Sequence, residues 1–175
     1  MSNSYLSNDR IYLRALEPED LAFFYQIENN PSFWEISDFT VPYSLSILKE
    51  YITNSKNDLY ADRQMRLVIV RKSDNLAIGT IDITDFSPQH KHGAVGIAIL
   101  EDFRNERYAS DALKLLCEYA FGFLCFKQLY AHIPVDNAPS LKLFASCGFV
   151  QCGTMKSWLC SGGEFKDVVI VQRIN

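Results

Sequence analysis

The stretch IAILEDFRNERYASDALKLL, residues 97–116, decides the fold. An apolar run ends at Leu100, a polar loop covers 101–107, and an apolar helix pattern starts at Tyr108. The first turn of a helix presents unpaired backbone N–H groups at the positive end of the helix dipole. In α/β proteins such a strand–loop–helix junction binds phosphate groups. Arg104 and Arg107 add positive charge, so the stretch predicts an anion site at the start of this helix.

The segments that follow predict a βαβ unit within a mixed sheet. The helix should extend over 108–123, and QLYAHIPV at 128–135 reads as the next strand. Two strands that flank one helix form a parallel pair through a crossover connection. The remaining predicted strands form hairpins, which are antiparallel. We therefore predict a single α/β domain over residues 1–175, with a mixed central sheet and helices on both faces.

The alternation of apolar and polar residues, helix-capping residues and turn residues indicate where the other helices and strands lie. We predict strands at 10–16, 65–71, 76–82, 94–100, 149–159 and 165–173, and helices at 17–30, 44–55 and 137–146. The polar segments 54–63 and 85–93 are predicted to be loops.

The composition is that of an ordinary globular domain. No apolar run reaches the roughly 18 residues that a membrane-spanning helix needs. The formal net charge of −4 argues against nucleic acid as the main partner. The five cysteines form no CxxC pair, and the N-terminus lacks a basic segment followed by an apolar one. We therefore expect a cytoplasmic protein with reduced thiols and no nucleic-acid or membrane partner.

A second informative stretch is DNAPSLKLFASCGF at 136–149. Asp136 or Asn137 can cap a short helix by accepting a hydrogen bond from its first-turn N–H groups. Gly148 stands at the C′ position, where the backbone usually turns left-handed. The stretch therefore predicts a short capped helix directly after the strand at 128–135.

Six segments, in this order and spacing, make the chain resemble the GNAT superfamily of acyl-CoA-dependent N-acetyltransferases. They are IYLRALEPEDL at 11–21, ENN at 28–30, FRNERYASDA at 103–112, YAFGFLCFKQL at 119–129, DNAPSLKLFASCGF at 136–149 and KDVVIVQR at 166–173. The likeness covers essentially the whole chain. It is closest to the branch of ribosomal-protein N-terminal and spermidine N-acetyltransferases. It implies the GNAT fold, with the sheet parted beside its central strand, and acetyl-CoA as cosubstrate.

The resemblance places the family's pyrophosphate loop on RNERYA at 104–109, where Arg107 occupies a family glycine position. We expect Arg107 to have a helical backbone and to pair with a CoA phosphate; the alternative is that its side chain blocks a glycine-sized approach. The resemblance also implies that Asn137 hydrogen-bonds the pantetheine arm and that a strand N–H stabilises the oxyanion. The whole predicted cofactor set is Ile99, Leu100, Arg104, Asn105, Glu106, Arg107, Tyr108, Ala109, Ser110, Asn137 and Ser140.

Acetyl transfer to an amine requires the amine to lose a proton and the CoA thiolate to gain one. Many relatives supply a Tyr and a Glu at the positions of Phe144 and Ala94, neither of which can transfer a proton. The remaining catalytic candidates are Glu101, Asp82 and Cys147. Glu101 can equally be a loop carboxylate, and Cys147 an inert buried thiol.

The binding site for the amine acceptor is predicted from acidic and aromatic residues, which attract a cationic amine through charge and cation–π contact. The same aromatic residues can instead belong to the core. The predicted substrate-binding set is Glu28, Trp34, Glu35 and Asp85. We expect no metal, because the histidines at 90 and 92 lack a third ligand.

These observations lead to one functional hypothesis with alternatives. The chain is expected to transfer an acetyl group from acetyl-CoA to a primary amine, on a peptide N-terminus or a small molecule, by direct attack in a ternary complex. The alternatives are a polyamine (spermidine) N-acetyltransferase and a catalytically weak acyl-CoA-binding protein. A homodimer stays open.

Overall fold

The computed structural model describes residues 5–34 and 41–175. Its strands are β1 (Ile11–Arg14), β2 (Met65–Arg71), β3 (Leu76–Ser87), β4 (His92–Ile99), β5 (Gln128–Pro134), β6 (Val150–Ser161) and β7 (Glu164–Ile174). Its helices are α1 (Leu21–Glu28), α2 (Pro31–Trp34), α3 (Leu45–Asn54), α4 (Leu59–Asp62), α5 (Tyr108–Glu118) and α6 (Ala138–Ser146). Short 3₁₀ turns cover Pro18–Asp20 and Glu101–Phe103, and a π-helical turn at Tyr119–Phe123 continues α5.

The strands form one seven-stranded sheet in the order β1-β2-β3-β4-β5-β7-β6. β4 and β5 pair in parallel, and the other neighbours pair antiparallel. The parallel pair is joined through α5, as the βαβ interpretation requires. The predicted mixed α/β fold is therefore confirmed.

The parallel pair is short and then parts. β4 and β5 pair at only three positions, which end at Ala94 and Tyr130. Beyond them β4 continues to Ile99 and β5 to Pro134, so the two strands leave a gap between their carboxyl-terminal halves. The sheet is thus parted beside its central strand, as the resemblance implied.

Each face of the sheet carries its own apolar cluster. The larger cluster lies under α5 and α6, where residues such as Leu113 and Leu116 pack on Ile81 and Leu129 of the sheet. The smaller cluster consists of Phe24, Leu48 and Ile52 from α1 and α3. Helices therefore flank both faces. Within the described residues, no helix is both long and apolar enough to cross a membrane.

Two predicted loops were wrong. The segment 54–63 contains α4, whose start is capped by the Asp58 carboxylate accepting from the N–H groups of Tyr60 and Ala61. The segment 85–93 belongs largely to β3 and β4, which extend past a register shift between Thr84 and Ser87. Most residues of both segments face solvent and only single residues such as Leu59 and Phe86 are buried, so the hydrophobic period is too weak to reveal helix or strand.

A close contact holds the end of β4 in place. Gly79 of β3 lies opposite Ile99, and a Cβ atom built there would overlap the Ala98 carbonyl oxygen and lie 2.8 Å from Ile99 Cδ1. Any side chain at this position would therefore push β4 away from β3. Gly153 in β6 is a matched comparison, since a Cβ there would meet Ile170 Cδ1 at an ordinary 3.8 Å.

We predict that Gly79→Ala lowers the free energy of unfolding by about 1–3 kcal/mol, because overpacking displaces the neighbouring strand. The control Gly153→Ala should change it by less than about 1 kcal/mol. Urea unfolding followed by circular dichroism measures both values. Equal stability of the two variants would contradict the tight β3–β4 contact.

Candidate active site

A cleft of about 580 Å³ opens where β4 and β5 part. Its walls are the end of β4, the loop after it, the first turns of α5 and α6, and part of α2. The lining residues are Ser32, Phe33, Ile97, Ala98, Ile99, Phe103, Arg104, Asn105, Arg107, Tyr108, Ala109, Ser110, Asn137, Pro139, Ser140 and Leu143.

The cleft brings together most of the predicted cofactor set. The members that line it are Ile99, Arg104, Asn105, Arg107, Tyr108, Ala109, Ser110, Asn137 and Ser140. Leu100 lies behind the wall, where its N–H donates to the carbonyl of Ile78. Glu106 is exposed and contributes its backbone carbonyl to a hydrogen bond from Arg10. Residues of α2 and the Phe103 ring were missing from the predicted set.

The loop between β4 and α5 uses two left-handed residues. Asn105 has φ 65°, and Arg107, the N-cap of α5, has φ 65° and ψ 8°. The predicted helical backbone of Arg107 was therefore wrong, because the chain has to turn sharply at this point to start α5. Left-handed residues in a loop can turn successive N–H groups toward one concavity, the arrangement called an anion-binding nest.

The start of α5 leaves backbone donors open toward the cleft. The first hydrogen bond of the helix runs from the Asp111 N–H to the Arg107 carbonyl, at 3.1 Å. The N–H groups of Tyr108, Ala109 and Ser110 precede it and so have no acceptor within the helix. All three residues line the cleft. The predicted anion site is thus built mainly from backbone.

Arg10 secures this loop from the far edge of the sheet. Its guanidinium donates to Asp111 Oδ2 and to the Glu106 carbonyl, each at 2.8 Å, and lies 4.6 Å from the centre of the Tyr108 ring. Sequence reasoning missed this residue. The hydrogen-bonded partners lie 96 and 101 residues away along the chain, so no local pattern marks it.

Arg104 joins the end of β4 to α2. Its Nε donates to the Ile99 carbonyl at 3.1 Å, and its guanidinium lies 5.5 Å from the centre of the Phe33 ring. The side chain therefore closes the cleft at its α2 side and keeps a positive charge in the wall.

The short helix α6 begins as predicted. The Asn137 side chain caps it by accepting from the Ser140 N–H at 3.2 Å, and the capping interpretation is therefore confirmed. Asn137 and Ser140 also line the cleft, so the cap sets one wall of it. Asp136 is bound to Lys166 at 2.7 Å, a contact that lowers the pKa of the Asp136 carboxyl.

None of the three catalytic candidates, Glu101, Cys147 and Asp82, is among the residues that line the cleft. Glu101 starts the exposed 3₁₀ turn after β4. Cys147 is buried at the end of α6, with its Sγ 3.8 Å from Ser110 Oγ and 3.9 Å from the Ser110 carbonyl oxygen. Phe144, at the family's tyrosine position, is buried against Phe149 with ring centres 4.9 Å apart.

Asp82, the third candidate, belongs to a partly buried ion-pair cluster. Arg66 Nε and Nη2 bind its carboxylate at 3.0 and 2.8 Å, while Arg66 Nη1 binds Glu28 at 2.8 Å. Burial raises the pKa of Glu28, although Arg66 opposes that shift. The cluster brings the catalytic candidate Asp82 next to the substrate-binding candidate Glu28, and it adds Arg66, which sequence reasoning missed.

The remaining candidates for the acceptor site lie in different parts of the chain. Trp34 donates its Nε1–H to the Glu28 carbonyl at 2.8 Å and thereby fixes α2 against α1. Asp85 is exposed at the bulge near the end of β3 and has φ 50°. Glu35 lies outside the described residues. Within the described chain, no three His, Cys, Asp or Glu side chains converge as they would around a metal ion.

Comparison with known proteins agrees with this architecture. A family model described as an acetyltransferase (GNAT) domain matches residues 10–150. Spermidine N(1)-acetyltransferase of Vibrio cholerae is 28% identical over 165 residues, which cover 92% of this chain and 91% of that protein.

Two solved structures have the same fold. The Vibrio cholerae spermidine N-acetyltransferase in complex with CoA and spermine superposes with a TM-score of 0.84 at 25% identity, covering 95% of this chain and 96% of the other. A dodecameric structure of the same enzyme gives 0.79 at 25% identity, covering 95% of each chain. With the family model spanning most of the chain and the fold shared throughout, this protein belongs to the GNAT family of acetyltransferases, which transfer an acetyl group to an amine.

Proposed function

We propose that this chain transfers the acetyl group of acetyl-CoA to the primary amine of a small molecule, by direct attack while both substrates are bound. The observation that carries the proposal is the cleft. It runs from the open N–H groups of α5 along the unpaired edge of β4, so one continuous site can accept a phosphate, an extended arm and a thioester.

The donor would lie with its pyrophosphate at residues 105–110. The nest and the first turn of α5 supply N–H donors, and Arg107 supplies charge. The pantetheine arm would then follow residues 97–99, which line the cleft and lack a strand partner on the β5 side. This pose would place the thioester where β4 and β5 meet, near Ala94 and Gly96.

The acceptor would approach from the α1 side of the sheet. Arg66, Asp82 and Gly96 lie opposite one another on β2, β3 and β4 and form one transverse row. Gly96 has no side chain, so an amine passing over it would meet the Asp82 carboxylate. A carboxylate there attracts a protonated amine and can orient it for attack after it loses a proton.

The charge of this row favours a small amine with one cationic centre. Glu28 and Asp82 carry two negative charges, and Arg66 compensates one of them. Spermidine, with several positive charges, would find less acidic surface here than two free carboxylates would offer. The relatives named as spermidine acetyltransferases keep the polyamine as the second candidate acceptor.

A peptide N-terminus is the third candidate acceptor, since the sequence also resembles the ribosomal-protein N-terminal branch. Assays with a panel of amines distinguish the three candidate acceptors. With a thiol-release assay at fixed acetyl-CoA, we expect a higher kcat/KM for small monoamines than for spermidine or short peptides. Absence of turnover with every amine, together with tight CoA binding by calorimetry, would favour an acyl-CoA-binding protein instead.

Self-association also belongs to the proposal. Val150, Trp158 and Phe165 expose large apolar side chains on β6 and β7, at the edge of the sheet away from β1. Such a patch supports contact with a second copy. Mass measurement in solution distinguishes a dimer from a larger assembly such as the dodecamer described for the Vibrio cholerae enzyme.

Arg107 gives a test of the phosphate site. A left-handed backbone costs a non-glycine residue roughly 1 kcal/mol, whereas glycine adopts it freely. Arg107→Ala removes the charge and keeps the backbone cost, while Arg107→Gly removes both. Because packing holds the loop left-handed before CoA arrives, we expect Arg107→Gly to be about 1 kcal/mol more stable to unfolding than Arg107→Ala, and the two variants to bind CoA equally.

The charge contribution appears in the comparison with the unchanged protein. Arg107→Ala should weaken CoA binding at low salt and less so at high salt, because ions screen an exposed guanidinium. Calorimetry at two salt concentrations measures both effects. Tighter CoA binding by the Gly variant than by the Ala variant would show that the loop becomes left-handed only when CoA binds.

Asp82 gives a test of the acceptor site. Asp82→Asn should raise the KM for the amine about fivefold to tenfold, since loss of a charge-assisted contact typically costs about 1.5–3 kcal/mol and Arg66 already screens this one. The KM for acetyl-CoA should not change. A matched control is Asp74→Asn, because Arg71 binds Asp74 with the same two-nitrogen geometry, at 3.0 and 2.6 Å. This pair lies on the donor side, where Arg71 packs on Phe103 of the cleft lining, and it does not belong to the Glu28–Arg66–Asp82 cluster. An equal effect of both substitutions would argue against Asp82.

A further inference from the structure

The place where β4 and β5 part is marked by a tyrosine. Ala94 and Tyr130 are the last opposed residues of the parallel pair, and Gln172 of β7 lies opposite Tyr130 on its other side. Tyr130 therefore stands at the innermost point of the gap. On its β5 side, every residue of β4 beyond Ala94 faces that gap, while its other edge stays paired with β3.

Tyr130 projects to the acceptor face of the sheet. Its neighbours Leu129 and Ala131 are buried in the cluster under α5 and α6, and side chains alternate along a strand. Ala94 and Gly96 alternate with the core residue Val95 in the same way. Tyr130 lies opposite Ala94 and Asp82 lies opposite Gly96, two residues further along β4, so the two side chains belong to neighbouring rows on the same face of the sheet.

Polar rings surround the phenol. The ring of His92 lies edge-on to Tyr130 with centres 5.9 Å apart, and the His132 ring is tilted at 5.5 Å. The Nδ1 atom of His92 is buried without a hydrogen-bond partner. The point where β4 and β5 part is thus lined by groups that can hold or exchange a proton, next to the small residues Ala94 and Gly96.

We propose that Tyr130 is the general acid of acetyl transfer and protonates the departing CoA thiolate. The inference rests on the donor pose under Proposed function. The amine nitrogen forms a bond to the thioester carbon, the carbon–sulfur bond breaks, and the sulfur takes the phenol proton. The phenolate then regains a proton released by the newly acylated nitrogen, so no other reactant is needed.

The environment keeps the phenol in its acid form. Burial, and secondarily the Asp85 carboxylate, raises the pKa of Tyr130. The titratable groups that face it are Asp85 on β3, His92 on β4 and His132 on its own strand. Tyr130 therefore carries its proton at neutral pH, as an acid must. Phe144, at the family's tyrosine position, has no proton to give.

The test compares Tyr130→Phe and Tyr130→His. The Phe variant removes the donor and should lower kcat about 100-fold, within the range of general acid catalysis, with CoA affinity unchanged. The His variant replaces the donor by an imidazole and should recover at least tenfold of that loss. The matched control is Tyr119→Phe, since burial also raises the pKa of Tyr119, which packs on Phe123 at the end of α5.

Three results overturn the assignment. They are an unchanged kcat in Tyr130→Phe, a loss of CoA affinity that accounts for the lost rate, and equal losses in the Phe and His variants. Calorimetric CoA binding and thermal unfolding accompany each assay, so a misfolded variant is recognised. Failure of the unchanged protein to acetylate any amine would instead count against the proposed function.

Discussion

The separation of β4 from β5 after Ala94 is the constraint on which the rest of the structure depends. Backbone N–H and C=O groups need partners, and a strand that parts from its neighbour leaves one edge without them. β4 tolerates this because its other edge is paired with β3 as far as Ile99. The exposed edge is then free for a ligand with amide groups of its own, and the cleft follows directly from the topology.

The loop after β4 adds open backbone N–H donors to that gap. α5 packs on the sheet through fully buried residues such as Leu113 and Leu116, so the position of its first turn is fixed by the core. The chain has to reach that turn within a few residues of Ile99, which forces Asn105 and Arg107 into left-handed conformations. Arg10 stabilises this loop conformation by donating hydrogen bonds to the Glu106 carbonyl and the Asp111 carboxylate. Strain in the loop is therefore maintained by packing far from it.

Features with a local cause could be predicted from the sequence. The strand at 65–71, the cap at Asn137 and the parallel crossover all depend on residues close together in the chain. The Arg66 cluster could not be predicted, because its partners lie 16 and 38 residues away and a lone arginine in a strand carries no signal. The backbone of Arg107 could not either, since arginine rarely adopts the conformation that the loop demands.

The Arg66 cluster explains why a set of acidic residues does not by itself define an acceptor-binding site. Glu28 is 6% exposed, and an isolated carboxylate that deep would favour its neutral form. Arg66 makes the charged form tolerable and at the same time engages both oxygens of Asp82. The fold therefore uses one cation to stabilise two carboxylates. The net negative charge near Gly96 is thus smaller than the two acidic residues, taken alone, would suggest. The acid proposed for acetyl transfer is accordingly a group that Arg66 does not bind, the phenol of Tyr130 on the other side of the gap.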